Sequence, residues 1–190
     1  METDKASLLH YVVDARASRF TVQVFASGML SAMGHDPTMG IRTFRGEVDF
    51  SAESAEGRGF HLTVQSNSLN VLDDLKDKDR REIERMMNDQ VLEVSKYPEI
   101  VYEVAVVSVV RLEAALYSAS LNGNLTLHGV TRSQPISARI AVFDEMVRAS
   151  GEFAMRQTDF DIKPISVAGG ALKVKDEIRF SFEMVARKLS

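Results

Sequence analysis

The chain has 190 residues, 45% of them apolar and 26% charged, with no cysteine, no tryptophan and four prolines. Such a chain suits one domain with an unstapled core and excludes disulfide frameworks, thiolate zinc sites, and collagen-like or low-complexity classes. Its 23 basic and 27 acidic side chains leave a net charge of −4, without the basic footprint of a nucleic-acid binder.

Met1 to Lys5 is charged and no apolar signal-like run follows; no stretch reaches the ~20 apolar residues that span a bilayer. The expected location is cytoplasmic (periplasmic if the chain is a processed form), with no stable membrane insertion.

In chain order, a short run at 11–14 is followed by Arg19-Phe20-Thr21-Val22-Gln23-Val24, where apolar and polar residues alternate as on a strand with one buried face. In the next run, 39–50, Met39 and Ile41 share one parity while Phe44, Val48 and Phe50 take the other. One extra residue near Arg42-Thr43, a β-bulge, restores the faces, and bulged, bent strands lean towards a barrel. Glu56-Gly57-Arg58-Gly59 reads as a hairpin turn before the alternating Phe60 to Gln65.

Residues 73–92 break the β pattern. Asp77/Arg81, Lys78/Glu82 and Arg80/Glu84 are opposite charges four apart, and Ile83, Met86, Met87 and Gln90 form a narrow inner stripe. The spacing predicts one solvated helix near 77–92 across a barrel opening. Strand-like runs resume at about 99–110, 113–128, 136–143 and 151–157. An irregular stretch, Gln157 to Pro164, and Gly169-Gly170 then precede a last alternating strand, Ile178 to Met184. Many antiparallel strands with little helix predict a sandwich or a barrel.

Candidate chemistry is sparse. His10 lies before the first strand and His61 on the polar side of another, neither with a partner at metal-ligand spacing. Gly34-His35-Asp36-Pro37 offers an acid–base or ligand pair, or simply a turn started by Asp before Pro. His128, beside Gly129, reads as a surface histidine at a hairpin turn. No nucleophile elbow, phosphate loop or His-Glu-x-x-His is present, so no catalytic residue, metal site or cofactor is assigned.

Several segments together resemble the YceI-like family of lipocalin-like barrels associated with polyisoprenoid binding. Tyr11-Val12-Val13-Asp14-Ala15-Arg16-Ala17-Ser18 is similar to its first strand. Asp79-Arg80-Arg81-Glu82 with Val94-Ser95-Lys96-Tyr97-Pro98-Glu99-Ile100 is similar to its helix and the lead-in to the next strand. Gly123-Asn124-Leu125-Thr126-Leu127-His128-Gly129-Val130-Thr131 is the most specific match, and Asp159-Phe160-Asp161-Ile162 to Lys175-Asp176-Glu177-Ile178 resembles the last loop and strand. The Gly34 to Pro37 loop departs from the commoner family sequence and suggests a subgroup.

The resemblance implies that residues 1–190 form a single domain, mainly β: an extended antiparallel lipocalin-like barrel of about eight strands around an apolar tube for an isoprenoid tail. It also implies that barrels pair as homodimers. On physical grounds, an eight-stranded barrel can hold one small ligand. The expected inner face is Phe20, Val22, Val24, Ile41, Phe44, Leu62, Val64, Leu125, Ile140, Val142, Phe153, Phe180 and Phe182. The expected function is to bind, carry or sequester a long apolar lipid, an isoprenoid or isoprenoid quinone, without catalysis. The rival readings are an enzyme or metal site on His35 and Asp36 acting on an apolar substrate, and a filled, ligand-free barrel serving as an interaction module.

Overall fold

A computed structural model describes residues 8–27, 36–51, 56–167 and 172–189. Twelve strands appear in chain order: β1 (Leu9–Val13), β2 (Arg19–Ser27), β3 (Thr38–Ile41), β4 (Phe44–Ser51), β5 (Glu56–Gln65), β6 (Leu69–Val71), β7 (Glu99–Glu113), β8 (Leu116–Leu127), β9 (Val130–Val142), β10 (Met146–Arg156), β11 (Ser166–Val167) and β12 (Leu172–Lys188). The helix α1 (Asp77–Met86) separates β6 from β7.

These strands make eight long antiparallel staves, three of them interrupted. β1 and β2 share one stave, broken at Asp14 to Ser18. Its neighbour, β3 and β4, breaks at Arg42-Thr43, and the next, β5 and β6, breaks at Ser66–Ser68. From there the order runs β7, β8, β9, β10, β12, and β12 closes the ring on β1 (Tyr11↔Lys188, Val13↔Ala186) and β2 (Phe20↔Phe182). Closure pairs the edge that an open sheet would leave bare. The barrel reading therefore replaces the sandwich.

The phase slip falls where the alternation predicts, as a two-residue break rather than a bulge. Arg42 N–H donates to the Ser68 carbonyl (3.2 Å) and Gln65 N–H to the Thr43 carbonyl (3.0 Å), so neighbouring staves turn the same corner together. The turn expected at Glu56 to Gly59 is corrected: β5 runs straight through it. Asp49 faces Arg58 and Glu47 faces His61, which leaves one extra β5 residue, and Gly59 takes φ +61° in that bulge.

The helix forms as expected, but its salt bridges differ. Arg85 pairs with Glu82 (2.7 Å) and Asp89 (3.6 Å). Arg80 donates instead to the carbonyls of Asp73 and Leu75, and Glu84 accepts the Val71 N–H. A wider π-type turn, Met87–Val91, follows α1. It changes the angular phase, leaving Gln90 exposed and turning Met87, Val91 and Leu92 inward. At the far end of the barrel Tyr11, Phe50 and Tyr117 close the interior with edge-to-face rings, 6.5 and 6.1 Å between centroids.

Two carboxylates tie neighbouring turns to β12. Asp14 accepts Arg187 Nε (2.7 Å) and the N–H groups of Arg16 and Ala17 at the β1–β2 turn. Asp176 accepts the Thr158 hydroxyl (2.7 Å) and N–H (2.9 Å). The Arg187 bond holds Asp14, and the Thr158 hydroxyl holds Asp176, below the ordinary aspartate value of 3.8. Because the folded values lie below the unfolded one, this stabilisation is complete above the unfolded pKa and is lost as pH falls through the folded pKa. Thermal melts should therefore show these two contributions unchanged through neutral and mildly acid pH and fading only below about pH 4. D14N and D176N should each remove part of that acid dependence; an unchanged profile in both would contradict the assignment.

Candidate binding cavity

The strands enclose a cavity of about 660 Å³. Lys173 and Ala186 both border it and stand thirteen residues apart on β12. At ~3.3 Å per residue, reduced by strand tilt and a bulge, that separation gives a tube roughly 30 Å long. Ala26, Pro37, Asp73, Leu75 and Lys173 mark its rim beside α1, where exposed Lys173 opens it to solvent. Phe50 and Ala186 lie at its closed end.

Eleven of the thirteen expected inner-face residues border this tube: Phe20, Val22 and Val24 from β2, Ile41 from β3, Leu62 and Val64 from β5, Leu125 from β8, Ile140 from β9, Phe153 from β10, and Phe180 and Phe182 from β12. The other two are set back from it. Phe44 is buried with its ring edge-on to Phe20 at 4.7 Å, and Val142, near the end of β9, packs against the core. The expected set omits Met39 and Phe60, which share the parities of Ile41 and of Leu62 and Val64. It names no residue of β7, from which Tyr102 and Val107 border the tube on opposite parities, either side of the irregular pairing between Glu103 and Val107. It also left out Ile83, Met86, Met87, Val91 and Leu92, with which the helical segment covers one end. The helix's apolar stripe signals Ile83, Met86 and Met87; Val91 and Leu92 come inward only through the π-type turn.

The wall is almost entirely hydrocarbon. Among the described residues that border it, only Asp73, Tyr102, Gln157, Lys173 and Ser181 carry polar side chains. Tyr102 turns its hydroxyl into the wall, 2.8 Å from the Gln134 carbonyl and 3.2 Å from that of Leu121, and burial pushes its phenol up to about 12. Asp73 accepts the Thr38 N–H (2.7 Å). Ser181 is exposed, between the inward Phe180 and Phe182.

Among the described residues, the histidines do not converge on the cavity. His10 pairs with Asp49 (2.8 Å) and His61 with Glu103 (3.1 Å), both across neighbouring strands. His35 lies outside the described residues; its neighbour Asp36 accepts the Ala26 N–H (2.8 Å) and so ties the loop to β2. His128 departs from the surface placement. It and Gly129 form a two-residue turn with φ of +52° and +75°, and the left-handed backbone turns the imidazole back onto the segment before β7. Its side chain is only 10% exposed, with Nε2 2.6 Å from Glu93 Oε2 and its ring 4.4 Å from that of Tyr97. No group of three or more potential metal ligands occurs among the described residues, and no described helix is long and apolar enough to cross a membrane.

A closed eight-stranded antiparallel barrel around a long apolar tube, capped by one helix, is the class of barrel with room for one small ligand. The model of the YceI-like domain matches residues 11–186, and the chain belongs to that family. Solved structures share the fold at low identity. A polyisoprenoid-binding domain from Saccharophagus degradans, implicated in plant cell wall breakdown, is 16% identical with a TM-score of 0.67, over 96% of this chain and 99% of that one. Burkholderia cenocepacia BcnA is 17% identical with a TM-score of 0.65, over 91% and 98%. A Campylobacter jejuni YceI protein is 17% identical with a TM-score of 0.60, over 80% and 85%. No curated protein sequence matches the chain.

Proposed function

We propose that this protein binds and carries one long apolar lipid, an isoprenoid or isoprenoid quinone, threaded lengthwise into the barrel. The observation that carries this reading is the tube itself: 660 Å³ drawn out between the rim at Lys173 and the aromatic plug, with a hydrocarbon wall. A filled interaction barrel needs no such space. The polyisoprenoid binding of the Saccharophagus domain, which shares the fold, supports the same class of ligand.

Energetically the tube needs no polar chemistry. Each buried methylene contributes ~0.8 kcal/mol, so about ten of them give ~8 kcal/mol, the scale of a micromolar complex before ordering costs. We read the protein as a carrier rather than an enzyme on the strength of the hydrocarbon wall; of the rival pair, Asp36 accepts the Ala26 N–H through one carboxylate oxygen. The homodimer implied by the resemblance belongs to the same proposal; sedimentation of the purified protein tests it.

Val22 is the direct probe. It is buried on β2, opposite Phe180, and borders the tube. A V22R variant that retains the barrel's circular dichroism should release its lipid, since a guanidinium in this wall lacks a partner. Normal lipid retention by the folded variant would remove Val22 from the site.

A further inference from the structure

Among the described residues, Gln157 carries the one buried polar side chain on the tube besides Tyr102, whose hydroxyl is committed to the wall. It follows β10 directly, at the start of the short 3₁₀ turn Gln157–Phe160, and is 6% exposed. Its Nε2 donates to the Lys175 carbonyl at 2.9 Å. Only the amide nitrogen can donate, so this bond fixes which end of the carboxamide is which and leaves Oε1 as an acceptor. Oε1 receives no donor from the described residues, and the side chain borders the cavity.

The neighbouring backbone explains why the amide is held this way. The β12–β2 pairing passes from Val174↔Ala26 to Ile178↔Val24, so β12 carries two extra residues there. That bulge frees the Lys175 carbonyl for Gln157, and Asp176 grips Thr158 by hydroxyl and N–H. Two consecutive residues are thus clamped to β12, and the amide cannot swing away. Gln157 is held by Lys175, two residues along β12 from Lys173 at the rim, and Ile162, Ile165 and Val174 border the tube with it, so the acceptor sits near the rim. Among the described residues the fully buried polar atoms without a partner are Arg80 Nε, Asn88 Oδ1 and His128 Nδ1. Gln157 Oε1 is not one of them and keeps accessible surface, which a donor on an occupant can use.

We infer that Gln157 anchors the headgroup of the occupant, and that this headgroup presents a hydroxyl donor: a prenol, phenol or hydroquinone, with its tail running inward to Phe50. A quinone carbonyl or an ether offers Oε1 nothing. The assignment rests on the carrier reading and adds to it the headgroup class and the direction of insertion.

The test compares geranylgeraniol with its methyl ether, two ligands with one tail, by titration calorimetry on the wild type and on Q157L. The wild type should bind the alcohol about tenfold more tightly than the ether, the worth of one good hydrogen bond. Q157L should bind the two alike. Equal wild-type affinities would overturn the inference while leaving the carrier reading intact, as when a water already serves Oε1. A preference that survives in Q157L would also overturn it. If neither lipid binds folded wild type, the carrier reading fails and takes this assignment with it. The wild-type comparison alone decides the matter should Q157L not fold.

Discussion

Replacing Ala149 with phenylalanine should cut off the deep end of the tube, so that the longest tails lose affinity, while leaving the melting temperature unchanged or higher. Ala149 faces inward from β10, between Ile140 of β9 and Met184 of β12, and borders the tube. In a filled core an added ring forces its neighbours aside and costs about 1–3 kcal/mol. At roughly 2–4 °C per kcal/mol for a chain of this size, that is a readily measured fall. In a tube the ring occupies empty space and gains the transfer energy of its own apolar surface. The sign of the change in Tm therefore separates a hollow barrel from a filled one, and titration of the same variant with prenols of increasing length shows whether the affinity levels off at a shorter tail. A destabilised variant with the wild type's dependence on tail length would contradict both halves of the expectation.

The second large effect is structural. Phe160 is 2% exposed and is carried by the 3₁₀ turn after β10. That turn lies where the wall parts. β9 and β10 pair only between Arg139–Val142 and Val147–Ser150; beyond this, β9 continues with β8 and β10 with β12. The turn bridges the split, with Arg132 Nε donating to the Asp159 carbonyl at 3.1 Å, and Phe160 fills it. Removing such a buried ring costs about 3–5 kcal/mol, so F160A should show a correspondingly lower urea midpoint with an unchanged m-value. A loss below about 1 kcal/mol would mean that the turn is not part of the barrel's closure.

Much of this architecture could be read from period-two alternation, because a half-buried strand shows its parity in every second residue. Val22, Leu125, Ile140 and Phe180 could be placed that way. So could the corner at Arg42-Thr43, since an out-of-phase pair changes parity wherever it occurs. Parity does not reveal register or partner, however. Arg58 and Gly59 look like a turn until β4 is laid beside them, and only that pairing exposes the bulge. Gln90 follows the helical stripe until the π-type turn shifts the phase. His128 was placed by strand parity, which ends at the residue where φ turns positive.

Gln157 was hardest to see. It sits in a stretch without periodicity, and its role depends on a carbonyl eighteen residues away, freed by a bulge in another strand. A single polar residue in an irregular segment reads as loop. Only closure of the barrel puts it at the wall of the tube.

Native mass spectrometry of the purified protein, titrated with prenols of increasing length and followed by solvent extraction of whatever it already holds, tests lipid binding most directly. The barrel described here should retain one lipid per chain, with affinity rising as each prenyl unit is added until the tail reaches the Tyr11–Phe50–Tyr117 plug and levelling off beyond it. A folded protein that yields no lipid and retains no prenol of any length would contradict the assignment of this tube as a lipid site.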